Sequence, residues 1–413
     1  MSGPHTVVPP LIPDLSDPNL YHAGDQYEIW AQLREQAPVC RVERPSERPF
    51  WAVLTYEHVN ACLADAATFS SAWGMRLDAD PVATKAATGK MMVVTDPPQH
   101  GRIRRIVSSA FTPRMVRRLE DNMRLTAIDV IENALAAGDV NFADVAARLP
   151  VSVVCDMLGV PREDWDFMLQ RTKVAFSDTP DADKGQIAAA HTDIFLYYHE
   201  LMRERRERPQ DDIISALVHG TIDGRALTDE EIILNCNNLV SGGNETTRHS
   251  TIQGLLAFIE NPDQWHRLRD DLELLPSAVR EILRYTTPAM HVLRTTTREV
   301  EVGGQLIGAD EMVTLWLASA NRDEKVFADP DRFDIERNPT RHLTYAYGAH
   351  FCIGAALAST ELNIFFEELL RRAELAEPTG EVKRVRSNLI GGIERMPVRL
   401  TRHAEADAQG ARE

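Results

Sequence analysis

Residues 344–357 read TYAYGAHFCIGAAL and hold Cys352, one of five cysteines in a chain of 413 residues. Gly348 stands four positions before it, His350 two before and Gly354 two after. Three chemistries are open to such a cysteine. A small buried hydrophobe is the commonest fate of a free thiol, and it needs none of this company. A nucleophile with His350 as its base is the second. Residues i and i+2 do not face each other on a helix and point oppositely on a strand, so that pair would work only in an irregular loop. A metal ligand is the third. The ordinary cysteine pKa of about 8.5 falls on metal binding or at a helix N-terminus. Ala358, Leu362, Phe365, Phe366 and Leu369 follow at helical spacing. Cys352 therefore heads a helix, where dipoles and free N–H groups favour a thiolate. The two glycines leave room for a flat, bulky group such as a haem face.

Other stretches carry chemistry less specifically. Gly242-Gly243-Asn244-Glu245-Thr246-Thr247 lies in the middle of a long helical pattern. Glycines there cost about 0.5–1 kcal/mol each relative to alanine, and an acid and two threonines suit a dry core poorly. Thr246 alone could simply bond back to the carbonyl four residues earlier. In DPPQHGRIRR, from Asp96, His100 and Arg104 are four apart and share a helix face. That pair suits a carboxylate ligand, or it is a solvated basic turn with Arg102 and Arg105. Glu281 and Arg284 have a Glu-x-x-Arg spacing that also occurs at Glu200/Arg203, Glu245/Arg248, Glu368/Arg371 and Glu381/Arg384. Spacing alone marks only a surface pair.

Taken in order along the chain, these motifs resemble the cytochrome P450 family. Gly348-x-His350-x-Cys352-x-Gly354 is similar to its haem-binding signature, which usually begins aromatic-Gly-x-Gly; here those positions are Tyr345 and Ala346. The resemblance implies Cys352 as the axial thiolate on the haem iron and His350, His100, Arg104 and Arg294 as haem contacts. It implies Gly242 and Gly243 as room for dioxygen, and Glu245 and Thr246 as the groups that organise protons. Glu281 and Arg284 become a structural lock, with Arg332 or Arg337 as third partner. The implied activity is monooxygenation: one atom of O2 enters a C–H bond or a double bond, with the thiolate favouring O–O cleavage. The implied cofactor is haem b. No flavin or iron–sulfur domain fits in the chain, so a separate ferredoxin and NAD(P)H-dependent reductase are expected, and Arg102 and Arg105 could help dock an acidic donor. A non-oxygenating haem sensor or carrier, an atypical P450 oxidation such as C–C coupling, and a haem-free cysteine hydrolase are the other readings.

The elements that must position these groups are mainly helical. YEIWAQLREQAP reads as a helix ended by proline, and residues 98–220 as successive helices. Thr228 and Glu231 form a capping-box pattern ahead of a helix over 229–259 that would be about 45 Å long. RPFWAVLTY reads as a strand and TREVEVGGQLIGADEMVTLWLA as a hairpin around Gly303-Gly304. NLIGGIERMPVRLTR reads as a final strand pair, and residues 68–95 as a long loop. The expected fold is mainly α with a smaller β region, a single P450-type domain over 20–402. Haem would lie between the long helix and the cysteine loop. Residues 1–19 and 403–413, proline-rich and polar respectively, are expected to be flexible ends.

Composition bounds the partners. A net charge of −17 argues against nucleic-acid binding, which needs a basic face. The start has no basic n-region with an apolar stretch, and no run approaches the ~18 apolar residues of a membrane span. The scattered cysteines lack a CxxC pair, so a reducing cytoplasm is expected. By family position the substrate pocket would draw on Met92, Val240, Met290, Val292, Leu389 and Ile390, with residues 170–190 nearby. These suggest a hydrophobic natural product, terpenoid or steroid. His291 is either a ligand contact or a structural histidine.

Overall fold

Thr228 and Glu231 cap each other as their spacing predicts. The Thr228 hydroxyl accepts from the Glu231 N–H at 3.2 Å, and the Glu231 carboxylate accepts from the Thr228 N–H at 2.7 Å. The helix they open runs Asp229–Glu260. It ends where the Asn261 N–H bonds back to Ala257 and Phe258 and Pro262 begins the next helix, Pro262–Asp270. In this computed structural model residues 12–45, 47–175, 183–338 and 341–403 are described.

The long helix runs through the core because its apolar positions surround it. Cys236, Leu239, Ile252, Leu255 and Phe258 are all buried. The helices packed on it include Arg148–Leu158, Leu275–Thr286 and Ala355–Arg372. The last two meet it at Gly254, where a β-carbon would lie 2.9 Å from both Ile282 and Phe366. Leu362, Phe365, Phe366 and Leu369 are buried on Ala355–Arg372, the stripe its spacing predicts. Each such side chain contributes about 1.5–3 kcal/mol on burial.

A five-stranded sheet flanks the helices in the order Val39–Val42, Phe50–Val53, Met312–Leu315, Val292–Thr296, Phe69–Ser70. Met312–Leu315 runs parallel to Phe50–Val53 and antiparallel to Val292–Thr296, with Val313 opposite Arg294. Alternation along the strand sends Val292 and Arg294 to the same face. The predicted hairpin forms at Gly303 and Gly304, both with positive φ, and joins Val300–Val302 to Gln305–Ile307.

Four expectations change. The final strands Ile393–Arg395 and Pro397–Arg399 do not pair with each other. The first pairs with Lys383–Arg384, the second with Asp139–Asn141 and Glu377–Pro378. Residues 68–95 are not all loop: Asp80 caps a helix Pro81–Ala87, its carboxylate accepting from Val82 and Ala83 N–H. The domain begins before residue 20. Leu15 is fully buried with Trp30 and Trp316, and Asp17 caps a helix Pro18–Ala23. At the other end His403 N–H still bonds to the Arg372 carbonyl. The rest of the two expected flexible ends, residues 1–11 and 404–413, lies outside the described residues. Among the described residues no helix is long and apolar enough to cross a membrane.

Candidate active site

The cysteine loop folds back on itself. Ala346 N–H bonds to the Leu343 carbonyl at 2.8 Å, and Cys352 N–H to the Tyr345 carbonyl at 2.9 Å. Two left-handed residues make this reversal, Ala346 at φ 55° and Gly348 at φ 73°. Gly348 is doubly constrained, because a β-carbon there would lie 2.5 Å from the Leu63 carbonyl oxygen. Ala346 carries the same backbone strain with a methyl group. This accounts for the family's glycine at that position and for the tolerance of alanine, whose cost is only about 1–2 kcal/mol. Ala346→Gly is expected to stabilise the protein by about 1 kcal/mol, read as a raised urea midpoint; an unchanged or lowered midpoint would refute the strain argument.

Cys352 precedes the helix Ala355–Arg372 by three residues, with Gly354 at the cap. Burial raises its thiol pKa, while the Gly354 N–H and the Arg104 charge act in the opposite direction. The thiol faces a cavity that holds about 1550 Å³ of empty space, partly open to solvent. The long helix walls the same cavity through Leu239, Gly242, Gly243 and Thr246. A β-carbon on Gly242 would meet open space, so this position is kept as room in the cavity. The Thr246 hydroxyl donates to the Gly242 carbonyl at 2.7 Å, which leaves its oxygen as an acceptor on the cavity side. Glu245 does not line the cavity. Its carboxylate pairs with Arg248 at 2.7 Å and faces His249 at 3.4 Å. Burial would raise its pKa, but His249, Arg248 and Lys173 together hold it below the usual carboxylate range.

Beside the cysteine loop four basic groups converge on the cavity: His100, Arg104, Arg294 and His350. The His100 and His350 rings lie 4.2 Å apart, and Ser71 Oγ is 3.2 Å from His350 Nε2. Arg294 is buried, donates to the Leu293 carbonyl and has no carboxylate partner among the described residues. Burial lowers its pKa to about 10. Burial, then Arg294, His100 and Arg104, push His350 down to about 3. Asp96, the acid whose charge acts on His100 and Arg294, is engaged by Ser70 and the Ser71 N–H. The buried Arg294 and the half-buried Arg104, neither paired with a carboxylate among the described residues, call for an anion from elsewhere, and the two histidines beside them add hydrogen-bonding nitrogens. A haem fits this demand. Its two propionates would meet the cations, Cys352 would hold the iron, and the open faces at Gly242 and Gly354 leave space for the ring.

Glu281 and Arg284 prove to be fully buried and paired at 2.8 Å. The third partner is Arg337, whose Nε donates to Glu281 at 3.1 Å; Arg332 contributes only its backbone carbonyl. Arg102 is tied to Asp223 at 2.9 Å, which leaves the exposed Arg105 as the freer of the two docking candidates.

Of the expected pocket residues, Met92 and Val292 line the cavity. Asn235 fixes the Met92 segment by accepting from Met92 N–H at 2.9 Å and donating to the Lys90 carbonyl at 2.8 Å. Val240, Met290, Leu389 and Ile390 do not line it. Positions 239, 242, 243 and 246 share one helix face, and Val240 turns to the other side, into the helical core. Met290 packs over Gly391 in the cluster of Trp30 and Trp316. Ile390 pairs with Ala289 one chain further out, and Leu389 accepts from Met290 N–H. His291 is structural: it is buried, its Nδ1 meets the Asn388 carbonyl at 3.2 Å, and burial lowers its pKa to about 4. Residues 176–182 of the region expected near the pocket lie outside the described residues.

Sequence reading missed Val153, Val154 and Met157, which wall the cavity from the helix Arg148–Leu158, and also Asn238 and Glu361. Glu361 is buried, its Oε1 has no partner, and burial lifts its pKa well above the carboxylate range. Its place three residues after Ala358 on the buried stripe was the available signal.

A cysteine thiol, two arginines with two histidines, and a helix wall of small residues fit a protein that carries an iron porphyrin. The chain belongs to the cytochrome P450 family, whose model matches residues 156–398. It is 38% identical over 402 residues to the putative cytochrome P450 126 of Mycobacterium tuberculosis, covering 94% of this chain and 97% of that one. It is 33% identical over 401 residues to linalool 8-monooxygenase of Pseudomonas putida, covering 94% and 98%. Its fold is similar to that of Mycobacterium marinum cytochrome P450 CYP268A2 in complex with pseudoionone, with a TM-score of 0.88, 32% identity and coverage of 95% and 100%. The protein is thus a P450 monooxygenase that uses haem, dioxygen, a hydrophobic substrate and redox partners.

Proposed function

We propose that this enzyme inserts one oxygen atom from O2 into a C–H bond or double bond of a terpenoid- or steroid-sized hydrophobic molecule. The cofactor is haem b, and the electrons come from a separate ferredoxin and its reductase. The observation that carries this reading is that Thr246, Gly242 and Gly243 line the same cavity as Cys352. A haem carrier or sensor has no use for a hydroxyl acceptor facing that space. The relatives support the substrate class: one is named for linalool, and another was solved with pseudoionone.

When bound, the haem supplies dioxygen binding and O–O cleavage, helped by electron density from the thiolate. The chain supplies the rest. His100, Arg104, Arg294 and His350 would hold the propionates by charge-assisted hydrogen bonds. Met92, Val153, Val154, Met157 and Val292 exclude water from the reacting carbon. With its own hydrogen committed to the Gly242 carbonyl, the Thr246 oxygen would accept a hydrogen bond from a water in the cavity. Glu245 is the reserve acid; it must swing away from Arg248 and His249 before it can pass a proton to the cavity.

Thr246→Ala is expected to keep haem and electron consumption but to lower product per electron by roughly 10- to 100-fold, near or below the low end for positioned proton-transfer groups. The assay is oxygen-isotope incorporation with a surrogate ferredoxin and reductase. Unchanged coupling in the variant would remove the proton-delivery role, and no isotope incorporation by the native enzyme with any terpenoid or steroid would remove the oxygenase reading.

A further inference from the structure

Asn238 is the cavity-lining amide that nothing in the fold uses. It stands at the edge of the helix face that carries Leu239, Gly242, Gly243 and Thr246, and it lines the cavity. It makes no hydrogen bond to any described residue. Its neighbours on the helix differ. Asn235 commits its amide to Met92, Lys90 and Glu231. Thr246 commits its hydrogen to Gly242. The same cavity is lined by the apolar Met75, Met92, Val153, Val154 and Met157. The cavity's cations, Arg104 and Arg294, lie by the cysteine loop, where the propionates are assigned.

We infer that Asn238 is a specificity residue that selects substrates carrying one neutral hydrogen-bonding oxygen, a hydroxyl or a carbonyl, on an otherwise apolar skeleton. An amide donates and accepts, so it serves either group. A hydrocarbon that strips water from Asn238 leaves the amide unpaired, at a cost of about 1–3 kcal/mol. An oxygenated ligand of the same shape avoids that cost. A carboxylate gains no countercharge at this end of the cavity. The helix also sets a distance. Asn238 precedes Gly242 by one turn, about 6 Å along the axis at 1.5 Å per residue. Oxidation therefore falls several bonds away from the anchoring oxygen, not beside it. This last point rests on the oxygenase reading above; the binding preference does not.

The test is equilibrium binding to the haem-loaded ferric enzyme by calorimetry, with no electron source present. The probes are menthol, menthone and menthane, and testosterone, androstenedione and androstane. In at least one series the oxygenated members should bind about tenfold or more tighter than the hydrocarbon, the equivalent of 1.4 kcal/mol. In Asn238→Leu, compared at equal haem content, that preference should vanish or reverse while the hydrocarbon binds at least as well. Equal affinities within both series, absence of binding by every probe, or an unchanged preference in Asn238→Leu would each overturn the inference. If the preference holds but reconstituted turnover gives no oxygenated product, the Asn238 assignment stands and the oxygenase reading falls.

Discussion

Cys352→Ala abolishes the red-shifted Soret band of the reduced, carbon monoxide-bound enzyme completely, and no other thiol restores it. The other four cysteines explain why the loss is total. Cys40, Cys62, Cys155 and Cys236 are all buried in apolar clusters away from the cavity. Burial pushes Cys40 and Cys62 up to about 12, and raises Cys155 and Cys236 further. A thiol so hard to ionise is a poor metal ligand, since the ligand is the thiolate. Cys352 is only half-buried, and it has the Gly354 N–H and Arg104 to favour its ionised form. The variant keeps His100, Arg104, Arg294 and His350, so it should still take up some haem in a weaker complex with an unshifted band. The measurement is the reduced carbon monoxide difference spectrum of both proteins at equal haem content. A thiolate band surviving in Cys352→Ala would refute the ligand assignment, and a native protein that takes up no haem would refute the site as a whole.

What could be read from residues alone follows physical range. The long helix was legible because its signals are local: a capping box at Thr228, periodic apolar residues and a stop at Pro262. The cysteine loop was legible because its residue types are rare and closely spaced. Glu281 and Arg284 were identified by order along the chain, since their spacing recurs elsewhere; what distinguishes them is zero exposure. The orientation of Glu245 was not legible. Consecutive helical residues point about 100° apart, and Glu245 falls outside the face on which Gly242, Gly243, Thr246 and Thr247 line the cavity. The partners that hold it there, Arg248 and His249, lie within one turn, but nothing local says which side of the helix is the cavity. Val240 was misassigned for the same reason, because a helix buried all round gives no sign of its functional face. The pairing of Ile393–Arg395 and the position of Met290 depend on contacts distant in sequence. The requirement at Ala346 depends on a backbone angle that no residue type declares.

Glu281→Ala destabilises the protein by about 3–5 kcal/mol, the range for breaking one partner from a buried ion pair. That is a large part of the 5–15 kcal/mol typical of a folded domain, so little haem-loaded protein should accumulate. The magnitude follows from the connections. One carboxylate oxygen of Glu281 accepts from Arg284 at 2.8 Å, from Arg337 at 3.1 Å and from Asp334 N–H at 3.1 Å; the other accepts from Arg284 Nε at 2.8 Å. Removing it leaves the Arg284 guanidinium, itself fully buried, without an anion. The damage does not stay local. Arg284 also donates to the Asn321 and Pro330 carbonyls. Asn321 accepts from Leu343 N–H at 2.6 Å and donates to Thr344 at 3.0 Å, and Leu343 and Thr344 lead directly into the cysteine loop. Thr344 returns a hydrogen bond to the Leu283 carbonyl at 2.8 Å, which closes the circuit on the helix that carries the pair. Stability and haem retention should therefore fall together in urea titrations followed by far-UV circular dichroism and by Soret absorbance. Replacing both partners with apolar residues of similar size, Glu281→Leu with Arg284→Met, should recover part of the lost stability, because no buried charge is then left between those two positions. It should not recover haem retention to the same extent, since the bonds from Arg284 to Asn321 and Pro330 are gone. Equal recovery of both would mean that the cysteine loop holds its shape without this network.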